Sequence, residues 1–255
     1  YAALPAAPRL AIIDPVYNFN VAYASGVDDN RSYDDYIEWT RRWMSEAVRC
    51  LAKDGSMWVF APDEWVSELD IMGRREFSLH LRRHVVWAMT FGVACLSNFA
   101  RSHCHILYFS KSSSKYCFNA DAIRVPSARQ VRYSDPRANP KGKLPDATWM
   151  LLKEQLEPHM AGDSSVWLQS RVCGTFKERQ PVSPNQIPLP ILTRITLACS
   201  APGDWILDPC CGSGSTGVAA LQAGRNFAGF DIGAACVEAT IDRIKRECKN
   251  AGAVE

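Results

Sequence analysis

The chain alternates short apolar runs with longer segments of helical period. Residues 10–13 (Leu-Ala-Ile-Ile) are all apolar, the pattern of a strand buried on both faces. The run ends in Asp14-Pro15-Val16-Tyr17-Asn18, and residues 18–32 are polar and predict a mobile loop. Ser32 is placed to cap a helix over 33–51, where Tyr36, Ile37, Thr40, Trp43, Met44, Ala47, Val48 and Leu51 share one face, with Trp39 at its edge. A Lys53-Asp54-Gly55 turn and a strand over 56–60 follow, then a helix predicted from Asp63 to about Leu81, and strands over 84–89 and 105–110. From 111 to 181 the period is broken by Pro126, Pro136, Pro140, Pro145 and Pro158, which predicts an irregular insert rather than a second core. Regular order returns with a helix over 189–199, a strand over 205–207, a helix from Ser215, a strand over 226–230 and a final long helix. This order predicts an α/β fold, a doubly wound and mostly parallel sheet.

The chain of 255 residues, 47% hydrophobic, can bury one large core with a smaller appendage. The longest apolar stretch, 85–96, is about twelve residues and interrupted, too short to span a bilayer. Residues 1–8 carry no basic lead and no long apolar core, so no signal peptide is expected there. Ten cysteines occur without a Cys-x-x-Cys pair, and Cys95, Cys199 and Cys236 sit in apolar surroundings, which predicts a reduced, cytoplasmic protein. His103-x-His105 reads as two polar strand positions, because no second ligand pair follows; no metal is expected. The net charge of +2 hides an asymmetry. Residues 111–143 hold Lys111, Lys115, Arg124, Arg129, Arg132, Arg137, Lys141 and Lys143 against Asp121 and Asp135, a local +6 on a body of −4. Such a segment suits a polyanion such as double-stranded DNA, although a solvated loop with an accidental excess has the same composition.

The chemistry concentrates at two strand ends. In Asp208-Pro209-Cys210-Cys211-Gly212-Ser213-Gly214-Ser215-Thr216 a strand runs through a tight turn into a helix, whose first N–H groups lack partners. One βα unit later Asp231 stands at a strand tip, the usual place for a carboxylate on a ribose diol. No third Gly completes a dinucleotide fingerprint and no Gly-Lys-Ser/Thr closes a phosphate loop. At the other strand end, Asp14-Pro15 is by itself an ordinary turn opener.

Taken together, these segments resemble the circularly permuted β-class of DNA N6-adenine and N4-cytosine methyltransferases, over nearly the whole chain. The marks are Asp14-Pro-Val-Tyr17, residues 39–60, Arg101-Ser-His-Cys-His-Ile-Leu-Tyr-Phe109, Asp121-Ala-Ile-Arg-Val-Pro-Ser127, Val172-Cys-Gly-Thr-Phe-Lys-Glu-Arg179, Pro184-x-Gln186-x-Pro188 and Asp208-Pro-x-x-Gly-Ser-Gly214. Val16 stands where the family most often has a second Pro, Ser183 where it often has His, and Cys210 where it often has an aromatic. The resemblance implies a Rossmann-like, permuted, seven-stranded-type core from residues 1–114 and 182–255, with 115–181 as a target-recognition insert. It implies S-adenosylmethionine (SAM) as cofactor, held by Asp208, Cys210, Gly212, Ser213, Gly214, Thr216, Asp231, Gln186 and Pro188. It implies catalysis by Asp14, Pro15 and Tyr17, and DNA contacts from Asn18, Arg124, Arg129, Arg132, Lys141 and Lys143. A homodimer is expected because the class often forms one. Three readings stay open: adenine-N6 transfer, favoured because the motif opens with Asp14; cytosine-N4 transfer; and a DNA-binding relative without catalysis.

Overall fold

β1 (Leu10–Ile13), β2 (Ser56–Ala61), β3 (His80–Val93), β4 (Arg101–Ser110), β5 (Thr148–Met150), β6 (Trp205–Asp208) and β7 (Asn226–Gly229) form one sheet in the order β5-β3-β4-β2-β1-β6-β7 in the computed structural model. The structure describes residues 4–248 apart from 24–25, 94, 151–171, 173–177, 181 and 183–184. Four of the six strand pairings are parallel, and β4 is antiparallel to both β2 and β3. β5 pairs with β3, so a short piece from within the irregular segment adds a strand at the edge of the core sheet. The sequence motif at 172–179 and the Ser183-Pro184 pair fall largely outside the described residues.

Alternation along the strands separates two cores. Ala11, Ile13, Met57, Val59, Leu107 and Phe109 face α1 (Tyr33–Cys50) and α2 (Val66–Ile71). Leu10, Ile12, Trp58, Phe60, Ile106 and Tyr108 face α4 (Leu189–Cys199) and α5 (Ser215–Gln222). A short α3 (Ala128–Val131) lies in the insert, and α6 (Ala234–Glu247) packs on α5 through Val218 and Ile244. With both faces covered, the central strands are apolar throughout, as the sequence pattern of β1 and β2 requires. α1 follows its expected stripe: Tyr36, Thr40, Met44 and Ala47 are buried, and Ser32 Oγ accepts from Asp35 N at 3.2 Å. Among the described residues no helix is long and apolar enough to cross a membrane.

The single helix predicted over 63–81 is a correction. α2 covers six residues, widens into one π-helical turn at Met72–Glu76, and gives way to β3 after Ser78. One contact and one backbone conformation account for this. Gly73 lies so close to the Phe109 ring that a Cβ there would come within 2.9 Å, which locks the turn onto β4. Ser78 has φ 54, a left-handed conformation that ends a helix. β3 and β4 also run further than predicted, because they pair with each other along their length, from His80 opposite Ser110 to Val93 opposite Arg101.

Candidate active site

β1 and β6 are parallel neighbours, with Ala11 opposite Leu207, so their carboxyl ends open side by side. β1 continues to β2 on the α1 side, whereas β6 continues to β7 through α5 on the other. Ligands in open α/β sheets gather at such a switch point. Thus Asp14 and Cys210, far apart in the chain, line one cavity of about 280 Å³ together with Pro15, Val16, Tyr17, Tyr23, Trp39, Trp43, Asn185, Gly212, Asp231, Ile232 and Cys236.

On the β1 side, Tyr17 Oη donates to Asp14 Oδ1 at 2.6 Å and lies 3.8 Å from Cys104 Sγ. Asp14 is only partly exposed at the cavity wall, and desolvation pushes its carboxyl up to about 7; the Tyr17 bond opposes the shift and the charge of Asp208 adds to it. The backbone here is held by two aromatic donors. Tyr36 Oη donates to the Val16 carbonyl at 2.7 Å, and Trp65 Nε1 to the Tyr17 carbonyl at 2.7 Å. The two rings pack 4.3 Å apart, so α1 and the start of α2 grip the loop as one unit. Val16 lacks the fixed φ of proline, and these bonds supply the restraint instead.

On the β6 side, Asp208 is buried; burial raises its carboxyl to about 6, against bonds from Thr216 and from Cys210 N at 3.0 Å. Asp231 takes Gly212 N on Oδ2 and Gly233 N on Oδ1, both at 2.9 Å, so it fixes the glycine loop from within the cavity. Gly212 and Gly214 have φ 47 and 76, and a Cβ on Gly214 would come 2.9 Å from Thr240. From α6, the fully buried Arg243 donates through Nη1 to the Ser213 carbonyl at 3.1 Å and to Ser215 Oγ at 2.8 Å. Burial keeps Cys104 and Cys211 up at about 12 and Cys210 well above the usual thiol range, so these sulfurs act as neutral packing groups.

Of the sequence-predicted residues, Asp14, Pro15, Tyr17, Cys210, Gly212 and Asp231 line the cavity. Asp208, Ser213, Gly214 and Thr216 are held behind the loop and shape it. Gln186 and Pro188 do not line the cavity: the Gln186 amide is taken up by Gln180 N at 2.9 Å and the Glu178 carbonyl at 2.8 Å, and Pro188 caps α4. Asn18 is also turned inward, with Oδ1 and Nδ2 on the backbone of Arg31 at 2.7 and 2.9 Å. The base of the loop it belongs to is hydrogen-bonded, with the buried Asp29 carboxylate accepting from Asn18 N, Phe19 N and Val21 N. Sequence reasoning missed Tyr36, Trp65, Asp29 and Arg243. Only the inward spacing of Arg243 with Cys236 and Thr240 on α6 offered a signal.

The basic segment is mostly ion-paired. Arg124 binds Asp121 and the Gly142 carbonyl, which makes it a brace of the segment. Arg129 pairs with Asp135, Lys141 with Asp121 and Lys143 with Asp146, while Arg132 lies over the Tyr133 ring at 5.7 Å. Arg129 and Lys141 remain largely exposed, so their ends stay open to a polyanion. His103 and His105 are not two isolated polar positions: the structure brings Asp63 to both.

A family model described as DNA methylase matches residues 9–242. The DNA adenine methyltransferase YhdJ of Escherichia coli (strain K12) is 31% identical over 238 residues, covering 92% of this chain and 75% of its own. Among solved structures, the PvuII DNA methyltransferase (cytosine-N4-specific) superimposes with a TM-score of 0.60 at 14% identity, covering 94% of this chain and 80% of that one. The M1.HpyAVI–SAM complex gives 0.56 at 20% identity, covering 93% and 90%.

Proposed function

The chain belongs to the DNA methylase family of N6/N4 amino-methyltransferases, and from that premise we propose that it transfers a methyl group from SAM to the N6 amino group of an adenine extruded from duplex DNA. One observation carries the reading: the Asp14-Pro15-Val16-Tyr17 turn and the Gly212–Asp231 loop open into the same cavity. Adenine is favoured over cytosine because the motif opens with Asp14 and because the 31% identical relative is named a DNA adenine methyltransferase.

The cavity fits a cationic ligand. Burial raises Asp14 and Asp208, and the charges of Asp208 and Asp231 respectively add to that, so negative charge gathers at this end of the sheet. A ligand bearing a sulfonium and an ammonium relieves that repulsion. Asp231, Gly212 and Cys210 would hold it, with Ile232 and Cys236 as apolar walls. When bound, SAM supplies an electrophilic methyl group on a good leaving group.

The chain's own work is at the base. An exocyclic amine is a weak nucleophile because its lone pair is delocalised into the ring. Asp14 Oδ and the Pro15 carbonyl can each accept one amine hydrogen, which draws the nitrogen toward sp³ geometry and stabilises its developing positive charge. A carboxyl lifted to about 7 is also matched to take the amine proton near neutral pH. Tyr17 offers a ring face for the base, and its hydroxyl holds Asp14 in place. The segment 115–181 is proposed to face DNA through Arg129, Arg132, Lys141 and Lys143. A homodimer forms part of the same proposal.

The test is digestion of SAM-treated duplex DNA to nucleosides followed by mass spectrometry. N6-methyladenine is the expected product; N4-methylcytosine would overturn the base assignment, and unmethylated DNA the enzymatic one.

A further inference from the structure

We propose that Asp63, His103 and His105 form a binding site for one divalent transition cation of the zinc, cobalt or nickel class. The strand geometry puts them together. His103 and His105 are two apart on β4 and so share a face. β2 pairs antiparallel to β4 with Ala61 opposite His105, and continuing that register sets Asp63 opposite His103. Asp63 Oδ1 lies 2.6 Å from His105 Nε2 and 2.8 Å from His103 Nε2, and the three ligand atoms all fall within 4.8 Å of one another. With metal–ligand bonds of about 2.0–2.2 Å, seating an ion needs side-chain shifts on the order of 1 Å.

A second feature distinguishes this cluster from an ordinary ion pair. His84, on β3, places Nε2 at 2.8 Å from His105 Nδ1. Without an ion, His105 Nε2–H donates to Asp63 and Nδ1 accepts from His84 Nε2–H. An ion taking Nε2 shifts the His105 proton to Nδ1, where it is donated to His84 as His84 moves its own proton to Nδ1, so His84 can act as the outer acceptor that orients a metal-bound imidazole. Two imidazoles and one carboxylate select zinc, cobalt or nickel over magnesium or calcium, which prefer all-oxygen sets. The site is reachable: the side chains of Asp63 and His103 are 48% and 36% exposed, and that of His105 is 14%. Arg101 Nε sits 3.8 Å from Asp63 Oδ2 and is also held by Glu64, so it can yield Asp63 to an ion without losing its second partner.

The site is distinct from the cavity described above. Cys104, between the two histidines, points to the other side of the sheet toward Tyr17. An ion here would clamp β2 to β4 just before Trp65, the residue whose indole holds the Tyr17 carbonyl. It therefore stiffens the support of the catalytic turn from outside. The inference does not depend on which base is methylated.

The experiment titrates chelator-treated full-length protein with Co²⁺ alone and with Zn²⁺ alone, followed by absorption and calorimetry. One equivalent should bind with visible d–d bands and without the thiolate-to-metal charge transfer that cysteine ligands give. His103→Ala and His105→Ala should each weaken binding at least about tenfold, and His84→Ala by about 10–100-fold. Glu64→Gln should leave it unchanged. Thiolate bands, affinity indifferent to the histidine changes, or no binding of either ion would overturn the site. Should a histidine variant fail to fold, X-ray absorption of zinc-loaded wild-type protein decides: imidazole scattering with an oxygen/nitrogen shell supports the site, and a sulfur shell refutes it.

Discussion

Tyr36→Phe isolates the restraint on the catalytic turn. The change keeps the ring, which is 2% exposed and packed against Trp65 and Trp39, and removes only the hydroxyl that donates to the Val16 carbonyl at 2.7 Å. If the carbonyl stays buried and unpaired, the loss is about 1–3 kcal/mol of stability. For a chain of this size each kcal/mol lowers the melting temperature by about 2–4 °C. If the turn instead moves to find water, stability falls less but Asp14 is displaced, and a misplacement of about 1 Å reduces rate by about 10²-fold. The positioning role of Tyr36 predicts the second outcome, so single-turnover methyl transfer at saturating SAM and duplex should fall by about 10–100-fold. Trp65→Phe removes the neighbouring bond to the Tyr17 carbonyl and should act on the same turn, so the double variant should fall short of the product of the two single effects. Val16→Pro, which restores a fixed φ, should return part of the rate to Tyr36→Phe. A lower melting temperature with an unchanged single-turnover rate would refute the positioning argument and leave Tyr36 a packing residue.

The raised Asp14 carboxyl gives a pH dependence with a definite sign. The ionised form is the acceptor, so the single-turnover rate should climb as pH rises through about 7 and then level; Tyr17→Phe removes the bond that opposes the upward shift and should move the limb to higher pH. Because the folded-state value lies above the unfolded one, wild type should lose stability relative to Asp14→Asn as pH rises from about 4 to about 7, and denaturant melts at several pH values check this. Gly214→Ala forces a side chain onto left-handed backbone at φ 76 and against Thr240, so calorimetric SAM binding should weaken sharply; unchanged binding would show that the loop tolerates a shift. Replacing Arg129, Arg132 and Lys141 by Ala should weaken DNA binding and lower the log–log salt slope by about 0.9 per lost phosphate contact, with SAM affinity unaffected. A fluorescence titration with the original slope would move the DNA surface elsewhere.

The chain shows unevenly how far a sequence carries such an account. β1, β2, α1 with its Ser32 cap, and the β6–α5 loop were legible because each is announced by local periodicity or by glycines that a turn requires. The segment after Asp63 was not, since its length is set by Gly73 against Phe109, a contact between elements distant in the chain. The same holds within the site. Asp14 and Asp231 stand at strand ends and are visible as such, but their union depends on β1 pairing with β6 across most of the sequence. Asn18 is expected from the resemblance to contact DNA; only its bonds to the Arg31 backbone show that its amide is used internally. Tyr36 reads as an apolar-stripe residue of α1 and Trp65 carries no signal at all; only the fold shows their polar tips meeting carbonyls of the turn.

The central claim is that Asp14, at the tip of β1, serves the amine in a cavity shared with the SAM loop. The most direct measurement is single-turnover methyl transfer by Asp14→Ala on duplexes whose target base is paired or mismatched, alongside SAM and DNA affinities. The rate should fall by orders of magnitude with both affinities little changed, because Asp14 acts mainly in the transition state. A mismatch eases extrusion and so should not restore the rate, although it should partly rescue Tyr17→Ala, which loses about 1–3 kcal/mol of base stacking. Wild-type rates from Asp14→Ala, or its rescue by the mismatch to the same degree as Tyr17→Ala, would contradict the account.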